Sequence, residues 1–168
     1  MKRMGMLVAL LAAVGMVQFG CGKEASETTA EKAVESAMKA SGQEADVTIK
    51  DNAMTVTTKD GSSSFGEGAK VPDNWPSDVP IYDGLKILAA VAAPQAFTVT
   101  GTTGDSLDKL TAYYKEQATK NGWAEDSVMS QPPLTMLSYR KEGEKRNLAI
   151  VISTEGGQQS VSITVGNE

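Results

Sequence analysis

Histidine is absent from this chain of 168 residues, and there is one cysteine. The first absence removes the Ser-His-Asp triad, the Cys-His pair and every imidazole metal site. The second removes an intramolecular disulfide. Phosphate-cradling loops are missing too, since Gly66-Glu67-Gly68 has neither a third glycine nor a helix after it. Basic charge is outnumbered, with Lys+Arg 16 against Asp+Glu 21. An acidic surface is a poor partner for nucleic acid, whose phosphates need neutralising. It also cannot supply a polybasic patch for anionic lipid.

Carboxylates are the remaining candidate catalysts. Glu67, Asp73, Asp78 and Asp83 cluster in one stretch and could supply an acid and a base, as in glycosidases. They could also ligate calcium, although the spacing of an EF-hand loop is missing. Acids in turns are more commonly solvated turn formers. The expectation is therefore no enzyme, no cofactor and no metal. Met38, Met54, Met129 and Met136 are dispersed and read as core filler, not as a copper site.

What is present begins at the N-terminus. Lys2 and Arg3 precede an apolar run, Leu7 to Val17, and the small residue Gly20 precedes Cys21. This is the layout of an export signal. The run falls well short of the roughly 20 residues that span a bilayer. Losing residues 1–20 would remove two bases and no acid, so the remainder is more acidic still. The lone cysteine directly after the apolar run needs a role, because a free exposed thiol oxidises.

The rest divides by composition. Residues 21–29 are polar and read as a flexible tether. Thr28 to Glu31 has capping-box spacing, and Ala30, Ala33, Val34, Ala37 and Met38 form a helical stripe that Gly42 ends. Residues 46–66 read as a three-stranded meander, so 30–66 forms a helix-plus-meander subdomain. A turn at Asp51–Asn52 pairs Ile49 with Met54 and Val47 with Val56. A turn at Asp60–Gly61 would pair Val56 with Phe65.

Residues 67–83 carry Pro72, Pro76 and Pro80 and form an extended connector with Trp75, Val79, Ile81 and Tyr82 available to dock. It is either a strap on its own domain or a recognition segment for a polyproline-reading groove. Four-residue proline spacing misses the step of a polyproline helix, which favours the strap.

Residues 84–168 read as β-β-α-β-β-β. Leu85, Ile87, Ala89 and Val91 alternate, then Phe97 and Val99 alternate back. A helix follows from Asp105 or Ser106, with Leu107, Leu110, Tyr114 and Ala118 on one face and Asn121–Gly122 as its stop. Strands over 134–141, 146–154 and 159–165 complete the set. A Gly156–Gly157 turn pairs Ile152 with Val161, Ile150 with Ile163 and Leu148 with Val165. Between 134–141 and 146–154, turns at Glu142–Gly143 and at Gly143–Glu144 both work. The fold class is α+β, an antiparallel sheet covered by one helix and preceded by the small helix and meander.

Residues 1–22, ending in Gly20–Cys21, resemble the bacterial lipoprotein signal family, with Gln18 and Phe19 departing from its usual pattern. An ordinary signal peptide is the alternative. The resemblance implies a diacylglycerol thioether on Cys21, usually with an amide-linked acyl chain, and two or more chains hold firmly. Gly22 in place of Asp implies an outer-membrane location facing the periplasm. The run from Val71 to Tyr82, with Tyr113 to Trp123, is also similar to a group of uncharacterised envelope lipoproteins, which brings no activity with it.

The expectation is thus a lipid-anchored envelope lipoprotein whose domain binds an envelope protein or serves structure, without catalysis. The rival is a small-molecule or glycan binder using Trp75, Tyr82, Tyr113 and Trp123 as its surface. A carboxylate hydrolase is third. A filled helix–sheet interface would favour the first, and a cavity of several hundred Å³ there the second.

Overall fold

A computed structural model describes the main chain of residues 23–42 and 44–167, with side chains from Thr28 onward. The signal segment, Cys21 and the first part of the expected tether lie outside the described residues. The element order is α1 (Lys23–Ala40), β1 (Ala45–Lys50), β2 (Ala53–Thr58), β3 (Gly61–Gly66), β4 (Lys86–Ala93), β5 (Ala96–Thr103), α2 (Leu107–Lys120), β6 (Ala124–Gln131), β7 (Leu134–Lys141), β8 (Arg146–Glu155) and β9 (Gln158–Asn167). All nine strands form one antiparallel sheet in the order β1-β2-β3-β4-β5-β9-β8-β7-β6. The α+β class expected from the sequence holds. The meander is continuous with the larger sheet, because Ser62 to Phe65 pair with Ala92 to Ala89.

Helix α1 starts at Lys23, earlier than the capping box would place it, so residues 23–29, expected as flexible tether, are helical instead. Glu31 is used elsewhere, its carboxylate accepting the Ile49 N–H at 2.6 Å while Glu35 accepts that of Val47 at 3.2 Å. Spaced four apart, these two acids lie on one helix face and satisfy amides on the outer edge of β1. The face toward β1 therefore holds Glu31, Val34, Glu35 and Met38, and Ala33 and Ala37 are exposed.

The first meander register is as expected, with Ile49 opposite Met54 and Val47 opposite Val56. The second is shifted by two residues. Thr58 pairs Gly61, so Phe65 faces Met54 and is 44% exposed. Gly61, at φ 139°, occupies the first strand position instead of the turn, and a Cβ there would meet the Ala92 carbonyl.

In β4 a bulge between Ile87 and Ala89 reverses the alternation, so Ala90 and Ala92 are buried instead of Ala89 and Val91. Helix α2 is capped by Ser106 and buries Leu110, Tyr114 and Ala118. Gly122, at φ 79°, ends it, and the Trp123 N–H returns to the Ala118 carbonyl. The β8–β9 hairpin has the expected register throughout. Lys141 pairs Arg146, the register of the Gly143–Glu144 turn, but Glu142 to Glu144 form a 3₁₀ turn. Strand β6 is an addition to the expected pattern, making residues 84–168 β-β-α-β-β-β-β. Every one of its residues is exposed, so it carries no alternation by which to recognise a strand.

The core fills the space between α2 and one face of the sheet. Leu110, Tyr114, Leu137, Ile150, Ile152 and Ile163 there are all 0% exposed. Among the described residues no helix is long and apolar enough to cross a membrane.

Candidate functional site

The connector is the strap of the two readings. Its turns close with the Trp75 N–H on the Pro72 carbonyl and the Val79 N–H on that of Pro76. Val79, Tyr82 and Leu85 enter the core. Proline at 72, 76 and 80 removes three main-chain donors and fixes φ, so the segment cannot join a sheet ladder and leaves carbonyls for side chains to reach.

Aromatic side chains do this at three points. Trp75 donates its indole N–H to the Val79 carbonyl at 3.0 Å, Trp123 donates to Asp78 at 2.9 Å, and the Tyr113 hydroxyl donates to Ile81 at 2.7 Å. Tyr82 and Tyr113 meet edge to face at 5.0 Å, and Trp75 meets Phe97 at 6.1 Å. Trp123 and Tyr82 are buried, and Trp75 and Tyr113 are half-buried. The four aromatics singled out in the sequence thus share one neighbourhood, but their polar atoms hold the connector and two of the rings offer no open surface.

A charged cluster sits beside Trp123. The Asp78 carboxylate accepts hydrogen bonds from Lys141 and from both terminal nitrogens of Arg146, which are 2.9 and 3.1 Å away. Arg146 also donates to Glu144 at 2.8 Å. Lys141 and Arg146 lie 5.3 and 5.0 Å from the Trp123 ring centre, within cation–π range. Burial alone would raise the Asp78 pKa, but the bonds from Arg146 and then Lys141 bring it below the usual value. Glu144 is lowered as well, chiefly by Arg146. The sequence singles out Asp78 among the connector acids, but Lys141, Glu144 and Arg146 read as ordinary residues around a strand turn, so nothing there joins them to it.

The carboxylates are held ionised elsewhere too. Glu67 is lowered by Lys86, and Asp105 by the Tyr82 hydroxyl and then Lys109. Burial raises Tyr139 to about 12 and also raises Tyr113 and Tyr114, so these phenols stay neutral near pH 7. A general acid would need a raised carboxyl, and these four acids are shifted the other way. Among the described residues no three Cys, Asp or Glu side chains gather as metal ligands.

Two buried hydroxyls stand out. Tyr114 and Tyr139 are 0% and 1% exposed, and neither hydroxyl has a hydrogen-bond partner. The Tyr82 main chain lies near the Tyr114 hydroxyl without meeting hydrogen-bond geometry. Two open clefts lie on the meander side, away from α2. One of about 350 Å³ is flanked by Lys59, Asp60, Asn74 and Pro94. The other, of about 310 Å³, is flanked by Thr48, Lys50, Thr55, Ser64 and Lys70.

The opposite face of the sheet carries no helix over its centre. Register places Met129, Met136, Val151, Ser162, Thr100, Ala89, Phe65, Met54 and Ile49 in one row across all nine strands. The adjoining row is Ser127, Ser138, Ala149, Thr164, Thr98, Val91, Ser63, Val56 and Val47. Neither row contains a charge. Hydroxyls pair across its centre, Thr98 with Thr164 at 3.1 Å and Thr100 with Ser162 at 3.4 Å.

No curated protein and no solved structure matches this chain. A family model described as START domain-like matches residues 89–166, from within β4 to within β9 and somewhat less than half of the chain, so the likeness is one of that segment.

Proposed function

We propose that this chain is a cell-envelope lipoprotein, acylated at Cys21 and anchored at the outer membrane facing the periplasm, whose domain is a non-enzymatic protein-binding or structural module. The observation that carries the second half is the filled helix–sheet interface, combined with two charge-free rows on the sheet face opposite α2. Binding by such a protein falls to its surface, where a sheet face of hydroxyls and apolar side chains suits another protein better than a small molecule. The anchor rests on the placement of the single cysteine after an apolar run.

Crosslinking in intact cells, followed by mass spectrometry, tests this reading. Crosslinks from the open face, near Thr98, Thr164 or Val151, to an envelope protein are expected. A chain that crosslinks to nothing and carries a stoichiometric small molecule in native mass spectrometry would contradict it.

The second reading, a small-molecule or glycan binder, has specific support in the START domain-like match and in the two unpartnered tyrosine hydroxyls. A ligand supplying hydrogen bonds to both would need α2 to lift from the sheet. Native mass spectrometry separates the two readings directly. The carboxylate hydrolase has least support, because Asp78 and Glu144 converge on a cation and both are held ionised.

A further inference from the structure

The two edges of the sheet are finished differently. Along β1, Glu31 and Glu35 of α1 satisfy outward amides. Along β6 no such cover exists among the described residues. All eight of its residues are exposed, and among the described residues nothing hydrogen-bonds the outward main chain of Ser127 to Gln131. An unpaired edge is a template for another strand unless charge, proline or a bulge blunts it.

The blunting devices sit only at the two ends of β6. The first end has a bulge between Glu125 and Ser127, and its acids are paired, Glu125 with Lys115 at 3.5 Å and Asp126 with Arg140 at 3.2 Å. The second end is closed by Pro132. Between them lie five uncharged residues in regular strand geometry, Ser127 to Gln131. At the centre, Val128 is 39% and Met129 48% exposed.

We infer that β6 pairs with the β6 of a second copy, antiparallel, across a two-fold axis normal to the sheet through Met129. This deepens the protein-binding reading, on which it rests for a partner of protein type. In that arrangement Ser127 faces Gln131 of the other copy, Val128 faces Ser130, and Met129 meets its own equivalent. Each pair lies on one face of the sheet, as antiparallel pairing requires. Both acids of each copy fall outside the paired stretch. A parallel arrangement would instead set Glu125 and Asp126 beside their own copies, placing like charges together.

The pairing also extends the apolar row on the open face, because Met129 already stands beside Met136 and Val151. Joining two copies makes that row continuous across the axis. Five residues a side bury less than a standard interface, so the dimer is weak in dilute solution, and holding copies at one membrane surface raises their effective concentration.

Disulfide trapping tests this. The full chain carrying Cys21→Ser and Met129→Cys has a single thiol, and at about 1 mM protein, which replaces the concentrating effect of the lost anchor, an antiparallel pair sets its partner within disulfide reach. Gln158→Cys, at the exposed start of β9 beside the β8–β9 turn, reports random collision. Under mild oxidation the Met129→Cys protein is expected to dimerise about tenfold faster than the Gln158→Cys protein, or more. Adding Val128→Lys should abolish that advantage while leaving the far-UV spectrum and melting temperature unchanged, since Val128 is exposed. Equal rates at the two positions would overturn self-pairing, and so would an advantage that survives Val128→Lys. Neither result would touch the in-cell crosslinks that test the protein-binding reading itself.

Discussion

Trp123 donates its indole N–H to the Asp78 carbonyl at 2.9 Å, while the Asp78 carboxylate takes Lys141 and Arg146, both of which lie over the Trp123 ring. One connector residue is thus fixed by its main chain to the end of α2 and by its side chain to β7 and β8.

Asp78→Asn should cost about 1–2 kcal/mol at neutral pH, short of the about 3–5 for a fully buried pair because Asp78 retains some exposure. A carboxyl lowered in the folded state contributes stability above its unfolded pKa of about 3.9, and loses it as pH falls through the folded value. The variant's stability should therefore fall less steeply on acidification than the parent's. Urea unfolding measured from neutral pH down to about pH 3 checks both the offset and the slope.

Trp75→Ala should destabilise by about 2 kcal/mol, below the range for a fully buried tryptophan because the ring is half-exposed. Trp75→Phe should recover most of that and lose only the bond to Val79. An unchanged melting temperature for Trp75→Ala would mean the connector is held without it.

Much of this fold was legible in the sequence, wherever side-chain alternation and turn chemistry agreed. Gly156–Gly157 with Ile150, Ile152, Val161 and Ile163 specified a hairpin without ambiguity. Errors arose where the backbone departed from regularity. The β4 bulge inverted the inward set, because a single extra residue reverses a period of two. Strand β6 was invisible, since pairing from one side with neither face buried leaves no pattern in Ala124 to Gln131. The four aromatics were recognisable as one group, with Trp75 and Tyr82 able to dock the connector, yet the atoms they engage were not. Whether an indole binds a ligand or a main-chain carbonyl depends on the path of residues 72–82, which composition does not fix.

Replacing both Glu31 and Glu35 with Ala should release α1 from the edge of β1. Amides of Val47 and Ile49 would then exchange at least about tenfold faster, as local opening loses one to two hydrogen bonds. Those of β8 and β9 should be unchanged. Hydrogen exchange with mass spectrometry reads both, and uniform acceleration would instead mean that α1 supports the whole sheet.

Tyr114→Phe and Tyr139→Phe should each be neutral or stabilising by up to about 1 kcal/mol, because each removes a buried hydroxyl without a partner. Thermal melts decide this. A loss of about 1 kcal/mol or more at either position would mean that its hydroxyl is hydrogen-bonded in solution, and would strengthen the ligand-binding reading.

The central claim is an acyl anchor on Cys21, and cell fractionation with intact-mass analysis of the N-terminal peptide tests it most directly. The parent chain should sediment with membranes and carry acyl mass on an N-terminal Cys21. Cys21→Ser, which lacks the thiol needed for the thioether, should be exported and either released or retained as uncleaved precursor. A Cys21→Ser protein that loses residues 1–20 and still sediments with membranes would contradict the account.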